Sequence, residues 1–435
     1  MQLTGEVGLN SRNVIVVNLD GGDVLFEQDA DEQVEVASLT KIMTVYLAAE
    51  AVESGKIKLE DEITITAEMI KVDPEFVKAG LYVGQKITFE DLMYLTLLPS
   101  NADAAQALAV TVGGSIKDFI ATMNETAWNW KMESTHFSNV VGYDMADEDG
   151  YILADGEKNY STARDVANMV KHAIENPTFE KVFGTREYTT EAGAKLESTT
   201  QTTSKRFGLD TEMITGVKTG FTGAAGRCLA STAEFESKND LGKSGLKPRL
   251  IAVTLGAETS DGHVRDTVNM YDYFADNYSY RLASEAILTE TKPLMAYIGF
   301  ENASVETVNI YELGDSTYYF LNNNAETKTQ FIAGENITLV EEAEVPVYRY
   351  NFDGNFGFNF AKTIPASERV GTVKYTADEK ILNEIDVTLG QDVTIYNYPM
   401  IFGTIVTSAA AIALAIGLFV KFKILGHRQQ PKPRW

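Results

Sequence analysis

Ala37-Ser38-Leu39-Thr40-Lys41 opens a helical pattern that runs on to Ser54-Gly55. Ser38 and Lys41 are three apart, so on a helix they share one face about one turn apart. An amine is thereby brought within reach of a hydroxyl without any histidine. A serine hydroxyl is a weak nucleophile until a neighbouring base takes its proton. A lysine is such a base only if burial or a second cation lowers its pKa. The S-x-x-K string is common, with roughly one expected by chance in a chain this long. Ser244-Gly245-Leu246-Lys247, in a Gly- and Pro-flanked loop, is such an accident. The weight of Ser38 rests on what the remaining sequence supplies.

At 435 residues the chain should hold two or three domains. A net charge of −25 argues against a nucleic-acid partner, which would require a basic face. The acidity reads as a solvated surface. Cys228 is the single cysteine, which leaves no disulfide framework and no Cys-rich metal site. It reads as a small buried residue on a strand. His136, His172, His263 and His427 are scattered, and neither H-E-x-x-H nor G-x-S-x-G occurs, which argues against a zinc hydrolase or an α/β-hydrolase. No metal or cofactor is expected.

Met400 to Val420 is an uncharged run of about 21 residues, close to the ~20 that cross a bilayer as a helix. Lys421, Lys423, Arg428, Lys432 and Arg434 follow it. Basic flanks stay cytoplasmic, so the bulk of the protein is expected outside, on a single-pass anchor in the cell membrane. A buried core helix is the competing interpretation. No export signal precedes Gln2-Leu3-Thr4, so the chain reads as a mature form whose signal peptide has been removed.

Asn13 to Leu19 and Val24 to Glu27 are β-rich and flank Asp20-Gly21-Gly22-Asp23, a hairpin signal. In the helix from Ser38, Leu39, Ile42, Met43, Tyr46 and Leu47 form an apolar stripe. Ile63 to Phe89 reads as short strands and loops. Thr88 caps a helix with an acid three residues on, and Asp103 to Val112 is the next helix, stopping at Gly113-Gly114. Ser115 to Asn176 is mostly helical, broken by Asp144 to Gly156. That loop misses the EF-hand spacing and reads as a solvated acidic loop. Met213 to Phe221, Arg227 to Phe235 and Arg249 to Gly256 read as strands, with Glu236 to Lys247 as a long hairpin loop. Asn269 to Tyr280 reads as an aromatic-rich helix. Strands at both ends with helices between predict an α+β fold, an antiparallel sheet covered by helices. From about Ile287, Val305 to Leu313, Tyr318 to Leu321, Ile337 to Val340, Val345 to Tyr350, Arg369 to Tyr375 and Ile385 to Leu389 predict a small all-β domain, a sandwich.

Two further motifs stand in order after Ser38: Pro99-Ser100-Asn101-Ala102-Asp103 between helices, and Lys218-Thr219-Gly220 on a strand. A K-T-G string arises by chance in about one chain in ten of this size, so order and context carry the weight. With these motifs the chain resembles the D-alanyl-D-alanine carboxypeptidases, low-molecular-mass penicillin-binding proteins of the S-x-x-K serine acyltransferase group. Thr135-His136-Phe137-Ser138-Asn139, Tyr160-Ser161-Thr162-Ala163-Arg164-Asp165, Val217 to Thr222 and Ala225-Gly226-Arg227-Cys228-Leu229-Ala230 also match. The likeness is close from about Asn13 to Tyr280 and looser beyond.

The resemblance implies a penicillin-binding-protein/β-lactamase-like transpeptidase domain over 1–285, an accessory β domain over 286–397, a membrane helix over 398–424 and a basic cytoplasmic tail over 425–435. It implies a peptidoglycan pentapeptide as substrate and β-lactams as covalent inhibitors. Ser38 would attack the penultimate D-Ala carbonyl, with Lys41 as base and Lys218 as the second cation. Thr219 and Lys218 would hold the terminal carboxylate. The backbone N–H groups of Ser38 and Phe221, past Gly220, would hold the oxyanion. Ser100 would relay a proton to the leaving amine. The family's second motif is usually S-x-N, whereas here Asn101 precedes Ala102. Either the turn is remodelled so that Asn101 points inward, or its contact is lost. Loss would leave a weakened penicillin-binding or cell-wall scaffold protein. A class A-type β-lactamase would need E-x-x-L-N between the second and third motifs, and that string occurs only at Glu379 to Asn383.

Overall fold

The computed structural model describes residues 8–74, 76–143, 158–236, 246–282, 293–297, 304–312, 318–340, 347–350, 361–389, 392–396 and 407–416. The acidic loop Asp144 to Gly156, Ser244 and most of the Glu236 to Lys247 loop lie outside these residues. So do the ends of the Met400 to Val420 run and the basic tail. The chain divides into two compact units, Met1–Tyr280 with Phe320–Asn323, and Arg281–Tyr319 with Asn324–Trp435.

In the first unit, β1 (Asn13–Asn18) and β2 (Val24–Gln28) form the expected hairpin. A 3-10 turn at Ala37–Leu39 leads into α1 (Thr40–Glu53). There follow β3 (Glu62–Thr64), β4 (Lys86–Thr88), α2 (Phe89–Leu97), α3 (Ala102–Gly113) and α4 (Ile116–Asn129). Next come α5 (Ala163–Ala173), α6 (Pro177–Gly184), β5 (Glu187–Thr189), β6 (Lys195–Glu197) and α7 (Thr199–Phe207). The unit closes with β7 (Ile214–Thr222), β8 (Gly226–Glu234), β9 (Arg249–Ala257) and α8 (Gly262–Asn277). The five-stranded sheet has the order β2-β1-β9-β8-β7, antiparallel throughout, so the two ends of the unit meet at β1 and β9.

Local signals explain many of these boundaries. Thr88 Oγ1 accepts from Asp91 N at 3.2 Å and starts α2. Gly114 takes φ 77° after α3, the left-handed stop that lacks a Cβ penalty. α1 departs from the expected stripe, since Thr40, Lys41, Thr44, Ala48, Ala49 and Ala51 are buried as well as its large apolar residues. It is a central helix covered on nearly all sides, against which α2, α3, α5 and α6 pack. That burial decides the chemistry of Lys41. Cys228 is fully buried on β8.

The second unit is built of strands. Its seven-stranded sheet runs Thr327–Ala333, Arg369–Ala377, Lys380–Leu389, Ser304–Glu312, Pro293–Tyr297, Val347–Tyr350, Ile337–Val340, with one parallel pairing between Pro293–Tyr297 and Val347–Tyr350. Asp378 and Glu379, both with positive φ, turn the hairpin between Arg369–Ala377 and Lys380–Leu389. Among the described residues no helix is long and apolar enough to cross a membrane. Residues 407–416 are helical and exposed.

Candidate active site

Ser38 sits in the 3-10 turn just ahead of α1. Ala37 beside it takes φ 48°, a left-handed conformation uncommon for a residue with a Cβ. One turn on, Lys41 Nζ donates to Ser38 Oγ at 2.9 Å and to Val141 O at 2.8 Å. Lys41 is 2% exposed. Burial, and next the charge of Lys218, hold its pKa well below the ordinary lysine value. Lys218, 1% exposed on β7, has its pKa brought down to about 7 by burial, and donates to Thr219 O at 2.6 Å. Both lysines are therefore poised far more towards the neutral amine than surface lysines.

Ser38, Lys41, Ser100, Thr219, Gly220 and Phe221 line one cleft of about 400 Å³. Lys218 and Asn101 are not among its lining residues. A Cβ on Gly220 would lie 3.0 Å from both Ser38 N and Val36 O. β7 and the turn that carries Ser38 thus approach closely only because position 220 carries no side chain. Thr219 Oγ1 hydrogen-bonds Thr199 Oγ1 at the start of α7.

The second motif forms the turn into α3. Ser100 takes φ 66°, and its Oγ is buried with no hydrogen-bond partner among the described residues. Asn101, 4% exposed, is the N-cap residue of α3 but its side chain makes no cap bond. Ala102, third in the motif, lines the cleft instead. The exchanged order therefore puts a methyl where S-x-N would put an amide. Asp103 is buried, and its carboxylate accepts from the N–H groups of Ala79, Gly80 and Leu81. It ties down the segment that carries Phe76 and Val77 to the cleft wall.

Three participants were not foreseen from sequence. Arg227 lines the cleft opposite Phe221 in the β7–β8 register, with its guanidinium 4.5 Å from the centre of the 59%-exposed Phe221 ring. The predicted pairing of these two strands was a signal that could have placed it. His263, at the start of α8, also lines the cleft. Burial, and next the charge of Arg227, lower its pKa to about 4, so the ring is neutral, and its Nδ1 has no partner among the described residues. The third is the Val141 carbonyl, a backbone group without a residue-type signature.

The Thr135 to Asn139 string builds a loop, and Tyr160 to Asp165 leads from a loop into the start of α5. His136 and Tyr160 exchange backbone hydrogen bonds, and Asp165 accepts from Ser134 N and Thr135 Oγ1. Thr162 Oγ1 caps α5. No carboxylate is among the described residues lining the cleft. Glu379 and Asn383 lie in the second unit, on a turn and a strand.

A protein-family model described as D-alanyl-D-alanine carboxypeptidase matches residues 2–259. The D-alanyl-D-alanine carboxypeptidase DacF of Bacillus subtilis is 26% identical over 393 residues, covering 89% of this chain and 87% of that protein. Penicillin-binding protein D2 of Listeria monocytogenes, solved with cefotaxime bound, is 28% identical with a TM-score of 0.51, covering 61% of this chain and 97% of its own. The carboxypeptidase DacD of Francisella tularensis shares the fold at a TM-score of 0.61 and 20% identity, covering 89% and 95% of the two chains.

Proposed function

Because the chain belongs to the D-alanyl-D-alanine carboxypeptidase family, we propose that it removes the terminal D-Ala from peptidoglycan stem peptides through an acyl-enzyme on Ser38, and that β-lactams inhibit it. The observation that carries this reading is the buried Lys41 amine at 2.9 Å from Ser38 Oγ. Neutral Lys41 takes the hydroxyl proton as Oγ attacks the penultimate D-Ala carbonyl. The oxyanion forms between the N–H groups of Ser38 and Phe221, which the tight passage at Gly220 supports. Ser100, whose buried Oγ has no partner among the described residues, hands a proton to the leaving amine. Water then hydrolyses the ester.

The terminal carboxylate is assigned to Thr219 with Arg227 rather than Lys218, because Lys218 is buried and Arg227 lines the cleft. Arg227→Gln should lower kcat/KM about 10-fold or more for a peptide with a free terminal carboxylate, as loss of a charged hydrogen bond does. A smaller or equal effect on the carboxylate peptide than on its amide would remove Arg227 from this role. The weakened scaffold remains the second reading, favoured by Ala102 in place of an amide at the cleft wall. D-Ala release from a peptide ending in D-Ala-D-Ala separates the two. Release that vanishes in Ser38→Ala is expected, and its absence from the unmodified chain would leave the scaffold.

We assign the peptidase domain to 1–285 and the accessory β domain, a sandwich, to 286–397. The membrane helix is assigned to 398–424, a stretch that contains the helical residues 407–416. The catalytic unit then works outside the cell membrane.

A further inference from the structure

Lys41 must present its lone pair, not an N–H, to Ser38 when it acts as base. With alanine at 102, the acceptor that fixes its amine is the Val141 carbonyl at 2.8 Å. We infer that Asn139 and Asn159 are positioning residues that set this carbonyl, doing through the 138–143 loop what an amide at the second motif would do by direct contact. The inference rests on the proposed acylation of Ser38.

Asn139 Oδ1 accepts from three successive backbone groups, Val141 N at 3.1 Å, Gly142 N at 2.6 Å and Tyr143 N at 3.1 Å. That gathering curls the loop and turns the Val141 carbonyl outward to Lys41. Asn159 Oδ1 accepts from Ser138 N at 2.8 Å and Asn139 N at 3.0 Å. Its Nδ2 donates to Asn139 O at 2.9 Å and to Thr40 Oγ1 at 2.9 Å. Thr40 precedes Lys41 on α1, and one turn later Thr44 Oγ1 donates to Val140 O at 2.7 Å. The helix that carries the lysine and the loop that carries its acceptor are thus pinned together on both sides of Lys41. Both amides are buried, at 3% and 2% exposure, where each bond survives without competition from water. With one N–H committed to Val141 O, the neutral amine is left with its lone pair free to face Ser38.

The test is acylation of the full chain by a labelled penicillin, separated into the non-covalent dissociation constant and the first-order acylation constant. Asn139→Ala and Asn159→Ala should lower the acylation constant about 10- to 100-fold, as misplacement of a reacting group by about an ångström does, with the dissociation constant unchanged. Asn139→Asp keeps the acceptor oxygen and should recover most of the rate. Thr40→Val keeps the helix shape, removes one acceptor and should cost a few-fold. If the alanine variants do not fold, the Asp and Val variants decide. Wild-type acylation constants in folded Asn139→Ala, equal losses in Asn139→Ala and Asn139→Asp, or a wild-type constant in Thr40→Val where the alanine variants do not fold, would overturn the positioning role. Absence of labelling in the wild-type chain would instead overturn the function proposed above.

Discussion

Lys218 is held almost without solvent on β7, and burial brings its pKa from 10.5 to about 7. The unfolded chain keeps that proton up to about 10.5, while the folded chain releases it near 7. Between these values the unfolded state binds more protons, so this residue's contribution to stability rises with pH and is lowest at and below neutrality. Lys218→Met should therefore be more stable than wild type at pH 7, by an amount on the order of a few kcal/mol, with the difference closing towards pH 10.5. Thermal melts across that range check it, and parallel curves for the two proteins would contradict it. The same substitution should slow acylation, a trade of stability for a working site. Of the residues that line the cleft, Ser38 and Lys41 were legible in side-chain type and helical spacing, and Thr219 through the resemblance that its K-T-G string supports. The Val141 carbonyl was not, since every residue has one. Arg227 reaches the cleft only through a cross-strand register that composition does not state.

At the scale of elements, the turn that carries Ser38 is squeezed between β7 and the 138–143 loop, and glycine makes both approaches possible. Gly142 has φ 86°, and a Cβ there would fall 1.9 Å from Ala37 O. Gly142→Ala combines left-handed strain with a backbone overlap, a cost of about 2–4 kcal/mol. Gly193→Ala has a similar φ of 83° and open space, so it should cost only about 1–2 kcal/mol. Denaturant unfolding of the pair measures the difference, and equal losses would show that the loop gives way freely. Hairpins and caps such as Thr88 and Gly114 were readable because they are local. α6, β5, β6 and α7 were not anticipated, although Asn176-Pro177, Ser198 and Gly208 mark their ends. Those elements are short or polar, and their burial comes from neighbours distant in sequence. In the second unit, turn signals located Arg369 to Tyr375 and Ile385 to Leu389, but Pro293–Tyr297 and Thr327–Ala333 were missed. Their strand character comes from pairing.

At the scale of the whole molecule, the helix proposed over 398–424 would hold the peptidase unit outside the membrane. A chain ending at residue 397 should stay soluble after salt and alkaline washing of membranes, while the full chain sediments with them. Equal partitioning would show that 398–424 does not anchor the chain. Either form should carry the same acylation chemistry, because every residue assigned to it lies in the first unit. Peptide mass mapping after incubation with a penicillin is the most direct measurement of that chemistry. One covalent adduct is expected, on the peptide containing Ser38, lost in Ser38→Ala and retained in Ser244→Ala. An adduct on any other residue, or none, would contradict it.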